Sequence, residues 1–337
     1  MSELRKDFLS ERWVIISTER GKRPTDFKVE KTKRKGGFCP FDPGNEKYVP
    51  PEIYAVRKPG SAPNDPNWEL RVVPNKFPAL GIEGELGKRG IGMYDMMNGI
   101  GAHEVIIETP NHDETIDTMP LHRVKNIVIA YKERIADLHK DRRMKYVLVF
   151  KNFGALAGAS LEHSHSQLIA LPILPKRVSE NLKGTERYFG YRDRCPMCDM
   201  LQQELYSQER IVEENDSFVS LCPFASRFPF EMQIIPREHQ THYEQQDEKT
   251  YDDFAKILKS TIKRLSKALD NPPYNLVLQN APFTEKCDEY YHWFLEIMPR
   301  LTRIAGFEWG SGFYINPTPP EEAAKFLKNL TIDQEEL

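Results

Sequence analysis

Two segments of the chain alternate alike and end on the same residue. YVLVFKN (146–152) and YNLVLQN (274–280) each open on Tyr, run through apolar positions and close on Asn. Short runs of this kind, rich in Val and aromatic residues, predict β-strands. Upstream of each, apolar residues recur every three or four positions, the period of an amphipathic helix. They are Val124, Ile127, Tyr131, Ile135 and Leu138 in the first case, and Phe254, Ile257, Leu258, Thr261, Leu265 and Leu269 in the second. Further upstream, EVIIETPNH (104–112) and EMQIIPREH (231–239) each read as a strand running through Pro to a His. Before those stand CPFD (39–42) and CPMC (195–198). Beyond each Asn, eleven or twelve residues on, comes another His, His163 or His292.

The landmarks keep one order, and the intervals from His112 to His163 and from His239 to His292 are 51 and 53 residues. The pattern predicts a duplicated α+β unit, with halves at 1–175 and 185–330. The halves are expected to meet in a Pro-, Lys- and Gly-containing link near 173–190. The segment 44–70, rich in Pro and Asn, predicts an inserted loop that lengthens the first half.

Composition narrows the class. The 337 residues, 39% hydrophobic and 29% charged, suffice for a real core, and no run reaches the length of a membrane span. The charged N-terminus lacks the apolar stretch of a signal peptide, so a cytoplasmic location is expected. A net charge of −3 argues against a broad nucleic-acid surface; any phosphate site must be local. In a reducing compartment, five cysteines imply metal binding or buried thiols rather than disulfides.

The repeat brings chemistry with it. Cys195, Cys198, His239 and His292 offer two thiolates and two imidazoles, the set that tetrahedral zinc prefers, with His242 as an alternative to His239. The first half offers Cys39, Asp42, His112 and His163, a harder set because a carboxylate replaces one thiolate. Cys222 and Cys287 have no counterpart in the other half and read as buried thiols.

The halves differ at LEHSHSQLIAL (161–171). Residues two apart share a face of a strand, so His163, His165 and Gln167 point one way. Overlaying the halves puts Phe294 at His165 and Glu296 at Gln167, so only the first half keeps a second imidazole. Just upstream, Gly154 and Gly158 in NFGALAGAS predict a tight turn whose N–H groups suit a phosphate. Ser160 and Gln167 add neutral donors, and the serines beside His165 are candidates for further contacts. A nucleophilic imidazole beside such a cradle predicts covalent nucleotidyl transfer, with His165 attacking the α-phosphorus of a nucleoside diphosphate compound.

These residues resemble the galactose-1-phosphate uridylyltransferase family of the histidine triad superfamily, over nearly all of 1–330. That family carries an H-x-H-x-Q signature, here with Ser164 and Ser166 between. The resemblance implies an α+β fold of two fused histidine-triad-like repeats, each an antiparallel sheet packed with helices, with the second half structural. It makes His165 the nucleophile and His163 a zinc ligand. ERGKRP is similar to the family's Arg-x-x-Arg-Pro and places Arg20 and Arg23 near phosphates. PNKF is similar to its Asn-x-Phe and places Asn75 and Phe77 at the nucleotide. Asn152, Gly158, Ser160 and Gln167 match positions that hold the phosphates.

Two departures bear on specificity. GFEWGSGF has Gly306, Ser311 and Gly312 where the galactose enzymes hold the hexose phosphate. Glu296 and Met298 stand where those enzymes build an iron site from histidines. The HSHSQ signature and the intact CPMC resemble the branch that includes ADP-glucose phosphorylase. The expected reaction takes a nucleoside monophosphate from a nucleoside diphosphate sugar to a sugar 1-phosphate or inorganic phosphate. UDP-glucose with a hexose 1-phosphate is favoured, ADP-glucose with phosphate is the alternative, and a histidine triad nucleotide hydrolase is a further one. The likeness also implies a homodimer.

Overall fold

The computed structural model describes residues 2–17, 27 and 36–332. The strands are β1 (Glu3–Lys6), β2 (Trp13–Ile16), β3 (Tyr54–Arg57), β4 (Trp68–Pro74), β5 (Arg89–Ile91), β6 (Tyr94–Met96), β7 (Ala102–Ile107), β8 (Tyr146–Phe153), β9 (His165–Leu171), β10 (Ile211–Glu214), β11 (Phe218–Leu221), β12 (Met232–Pro236), β13 (Tyr274–Gln279), β14 (Phe294–Pro299) and β15 (Tyr314–Asn316). The helices are α1 (Leu121–His139), α2 (Lys176–Arg192), α3 (Pro196–Ser207), α4 (Glu248–Leu269), α5 (Gly306–Ser311) and α6 (Pro320–Lys328).

Ten strands form one antiparallel sheet in the order β10-β11-β12-β14-β13-β8-β9-β7-β4-β3. Read outward from its middle, each side repeats the other: β8-β9-β7-β4-β3 against β13-β14-β12-β11-β10. The seam is the pair β8–β13, running from Tyr274 opposite Phe153 to Leu278 opposite Val149. The two strands whose sequences match therefore pair with each other. This is the duplicated α+β architecture expected from the sequence.

Helices α1 and α4 pack together on one face of the sheet. Their periodic residues, among them Ile127, Tyr131, Phe254 and Leu258, join Val147, Val149, Leu276 and Leu278 in one core that crosses the seam. The opposite face carries two smaller clusters. One holds Cys39, Phe41, Val105 and Ile107 in the first half, and the other holds Leu9, Cys195, Ile235 and Phe294 in the second. A smaller sheet, β1-β2-β15, joins the two ends of the chain, and Leu9 packs residues 2–17 onto second-half elements.

Two expectations are corrected. The segment 44–70 is not a loop: it contains β3 and the start of β4. Buried charge hid the strands from a reading of hydrophobicity, since Arg71 is nearly solvent-free and donates from Nε to Glu52 Oε2 (2.8 Å). The extra length of the first half lies instead between β4 and β7, where the β5–β6 hairpin sits. The expected link near 173–190 is mostly α2. Its Gly184 answers a packing demand, because a Cβ there would lie 1.9 Å from the Leu9 carbonyl oxygen.

Because the main core spans the seam, truncating it should weaken both halves together. Leu278→Ala is expected to lower stability by about 2–5 kcal/mol in a single unfolding transition by urea denaturation, rather than splitting it in two.

Candidate active site and metal centres

Strand β9 begins at His165, and its register against β7 sets Ile107 opposite His165 and Val105 opposite Gln167. His165 and Gln167 thus share the face away from α1, as strand alternation requires. The His165 ring keeps 5% exposure and packs edge-on to Phe41. Its Nδ1 lies 2.8 Å from the His163 carbonyl oxygen. A carbonyl only accepts, so Nδ1 carries the proton and Nε2 keeps its lone pair. Burial lowers the pKa of this imidazole, against the opposing pull of that carbonyl bond. A neutral imidazole with that lone pair can act as a nucleophile or accept a proton.

The serines on either side of His165 point the other way, which corrects their expected role as contacts at the site. Ser164 Oγ donates to Glu108 Oε2 (2.6 Å), and Ser166 Oγ bonds Glu108 Oε1 and the Tyr131 hydroxyl. Lys151 Nζ completes the cluster, donating to Glu108 Oε2 (2.6 Å), Ser164 Oγ (2.9 Å) and the His165 carbonyl oxygen (3.1 Å). Lys151 is 1% exposed and Glu108 0%. Burial works against the charge on Glu108, but the Lys151 ammonium and the two hydroxyls outweigh it and hold the carboxyl pKa below its ordinary value. This pair clamps the backbone of His165 from behind. Sequence reasoning missed it; the signal available was a Lys inside an otherwise apolar strand.

Gln167 has a partner that was also missed. His103 Nδ1 accepts from the Ala79 N–H (3.1 Å), so its Nε2–H donates to Gln167 Oε1 (2.9 Å). The Gln167 amide is thereby oriented with its NH₂ group not tied to His103. Asn75 comes close to the same ring, its Nδ2 at 3.1 Å from Nε2 with two donors facing in this tautomer, and its Oδ1 accepts from the Phe77 N–H. Asn75, His103 and Gln167 form one chain of contacts. His103 was visible in principle, because it keeps the two-residue period of Val105 and Ile107.

Other expected residues are placed less closely. Phe77 is 81% exposed, and Gly158 and Ser160 lie on an exposed turn. Gly154 and Gly158 have φ of 80° and 91°, values that favour glycine. The turn engages its own N–H groups, Ala157 and Ala159 to the Gly154 carbonyl and Gly158 to that of Ala155, so those three are not the free donors expected. Asn152 Oδ1 accepts from Asn275 Nδ2 across the seam (2.8 Å). Arg20 and Arg23 lie outside the described residues.

The repeat gathers both metal-type clusters. In each of the sets Cys195, Cys198, His239, His292 and Cys39, Asp42, His112, His163, the ligand atoms lie within 4.8 Å of one another. Cys198 Sγ is 3.4 Å from His239 Nδ1 and 3.6 Å from His292 Nδ1. Zinc with bonds of about 2.3 Å to sulfur and 2.0–2.1 Å to nitrogen sets tetrahedral S···N separations near ~3.5 Å. The two separations at Cys198 therefore match those around a zinc ion. His239 Nε2 donates to the Asp288 carbonyl (2.7 Å), which turns Nδ1 toward Cys198. His242 instead faces Glu244 and Asp288.

The first-half set is drawn together by hydrogen bonds. Asp42 Oδ1 is 2.8 Å from His112 Nδ1 and 3.0 Å from His163 Nδ1, while His163 Nε2 donates to the Thr109 carbonyl (2.7 Å). His165 belongs to neither cluster. Cys222 and Cys287 are buried thiols. An iron site at Glu296 and Met298 does not fit: Arg177 and Arg227 bond Glu296, and Arg227 Nη2 also lies 3.2 Å from Met298 Sδ.

A doubled α+β scaffold that keeps a second imidazole in just one half goes with a nucleotidyltransferase, the class of the proteins it resembles. Residues 1–175 match the family model for the galactose-1-phosphate uridyl transferase N-terminal domain, and residues 115–336 match a domain of unknown function, DUF4921. An ADP-glucose phosphorylase of Arabidopsis thaliana is 40% identical, over 98% of this chain and 93% of its own. A galactose-1-phosphate uridylyltransferase of Thermotoga maritima is 30% identical, over 99% of this chain and 100% of its own. The crystal structure of an Arabidopsis thaliana ADP-glucose phosphorylase with bound ADP-glucose superposes with a TM-score of 0.84 at 38% identity, covering 98% of this chain and 100% of that one. The chain belongs to the galactose-1-phosphate uridylyltransferase family. No helix among the described residues is long and apolar enough to cross a membrane.

Lys151→Met leaves a buried carboxylate unpaired and is expected to cost about 3–5 kcal/mol, while Lys151→Met with Glu108→Gln should recover part of the loss; urea denaturation of the three proteins checks the order. Cys198→Ser should remove one zinc per chain, as read by elemental analysis of the purified protein.

Proposed function

We propose that the protein moves AMP from ADP-glucose to inorganic phosphate through a covalent intermediate on His165. The observation that carries the mechanism is the bond from His165 Nδ1 to the His163 carbonyl at 2.8 Å. It fixes the tautomer and leaves Nε2 as the attacking atom. Nε2 attacks the α-phosphorus of ADP-glucose; an Nε2–P bond forms, the bond to the bridging oxygen breaks, and glucose 1-phosphate leaves with the electron pair. Phosphate then attacks the adenylyl phosphorus in turn, giving ADP and restoring the neutral imidazole. Glucose 1-phosphate leaves as a stable anion and the imidazole leaves as a neutral ring, so positioning and charge stabilisation carry the rate.

The NH₂ of Gln167, set by His103, is assigned to an oxygen of the transferred phosphoryl group. Ser160, Asn152 and Gly158 are assigned to the flanking phosphates, Asn75 and Phe77 to the nucleoside, and Arg20 and Arg23 to phosphates on the strength of their motif. Zinc held by Cys195, Cys198, His239 and His292 would pin α3 to the ends of β12 and β14. Cys39, Asp42, His112 and His163 would hold a second ion that braces the strand carrying His165.

The adenylyl donor is favoured by the 40% identity with the ADP-glucose phosphorylase, extending over nearly the whole of both chains. Uridylyl transfer to a hexose 1-phosphate is the second reading, supported by the 30% identity with the Thermotoga maritima enzyme. A homodimer in the cytoplasm completes the proposal. Its support is the apolar surface of the β5–β6 hairpin, where Ile91, Met93 and Tyr94 are exposed.

ADP-glucose labelled at the α-phosphorus should leave acid-labile label on the protein, and inorganic phosphate should chase that label into ADP. His165→Ala should take up none, and labelled UDP-glucose should label the wild type more slowly. No label from either donor, or full label in His165→Ala, would overturn the mechanism; steady release of AMP without an acceptor would make the protein a hydrolase.

A further inference from the structure

A pocket partly open to solvent lies at the place in the second half that matches His165 in the first. Phe294 and Glu296, the register counterparts of His165 and Gln167, form part of its wall. Three guanidiniums line it: Arg12 from the turn between β1 and β2, Arg177 from the first turn of α2, and Arg227 from the loop before β12. Arg177 bonds Glu296, and Arg227 donates to Glu296 Oε1 (2.9 Å) and from Nε to Glu231 Oε1 (2.9 Å).

Arg12 has no such partner. Among the described residues no ion pair forms to it, and its guanidinium lies 5.7 Å from the centre of the Tyr314 ring. The remaining carboxylate of the wall, Asp7, accepts through Oδ1 from the N–H and hydroxyl of Ser10, each at 2.6 Å. Burial, followed by the charges of Arg227 and Arg177, lowers the pKa of Arg12, against the opposing pull of Tyr314 and Asp7. An anion in the pocket would relieve the part that comes from the two guanidiniums.

Chemistry restricts the occupant. Three guanidiniums meet at a lining whose exposed surface is mainly polar, which suits a small oxyanion better than the flat apolar face of a base. The planar fork of a guanidinium suits such an anion. Phe294 in place of the imidazole means that nothing there can form a bond to phosphorus.

We propose that this cavity is a second, non-covalent oxyanion site, in which Arg12 holds inorganic phosphate and so ties the β1–β2 hairpin to the second half. The copy of the site that lost its nucleophile keeps an affinity for phosphate without the chemistry. The inference stands independently of which nucleotide His165 receives.

The test uses the full chain. Crystals soaked in selenate should show an anomalous peak within hydrogen-bond distance of the Arg12 guanidinium. Titration calorimetry with inorganic phosphate should show affinity falling tenfold or more in Arg12→Gln and unchanged in His165→Ala. Should Arg12→Gln not be recovered folded, Arg12→Lys, which keeps the charge but loses the fork, should still bind at least threefold more weakly. No peak in the cavity, wild-type affinity in the Arg12 variants, or loss of binding in His165→Ala alone would each overturn the proposal. Labelling of His165 by ADP-glucose should be normal in Arg12→Gln, so failure here and failure of the transfer mechanism read out in different assays.

Discussion

A strand sends successive side chains to opposite faces, and the chemistry of the first half depends on where residues 163–167 stand in that alternation. His163, His165 and Gln167 face the open side, while Ser164 and Ser166 face α1. What keeps the strand from slipping is the buried contact of Lys151 with Glu108, because both serines and the His165 carbonyl are tied to that one ion pair. A slip of one residue would drive the imidazoles into the core and expose the serines. An ion pair sealed in a core is weak evidence for stability by itself, since desolvation opposes its Coulomb attraction. Here its observable consequence is register, and register aims the His165 ring.

The two halves show what duplication permits. They share one sheet and one helical core, so neither had to evolve its own support. The second half places Trp293 and Leu295 where the first has Ser164 and Ser166, and both are buried in the apolar core. With no imidazole to aim, that half needs no polar clamp. Its open face keeps the metal-type cluster, and Glu296, in the place of Gln167, has become the centre of an arginine network. One copy kept the chemistry, and the other kept ligand geometry and charge.

Orientation of the remaining polar groups works through partners rather than through the groups themselves. His103 turns the Gln167 amide, the His163 carbonyl sets the His165 tautomer, and the Thr109 and Asp288 carbonyls turn ligand histidines inward. The three carbonyls accept and His103 donates, and each fixes which atom of its partner faces the site. Such choices decide function, yet they leave little trace in a residue pattern.

The sequence alone determined the duplication, the helices with their buried faces, both four-residue clusters and the paired histidines, because period and spacing survive in one dimension. It did not disclose β3, since Arg71 of β4 and Glu52, two residues before β3, neutralise each other in the fold and read as loop residues when taken singly. Nor did it disclose α2, whose polar sequence is helical because Val178, Leu182 and Thr185 bury one face and Gly184 lets the Leu9 backbone approach. The partners Lys151, Glu108 and His103, the inward turn of the serines and the cavity at Arg12 were decided by tertiary structure only. Each joins residues distant in sequence, and whether a charge is buried, paired or left facing a cavity depends on the other strand or helix that folding brings against it.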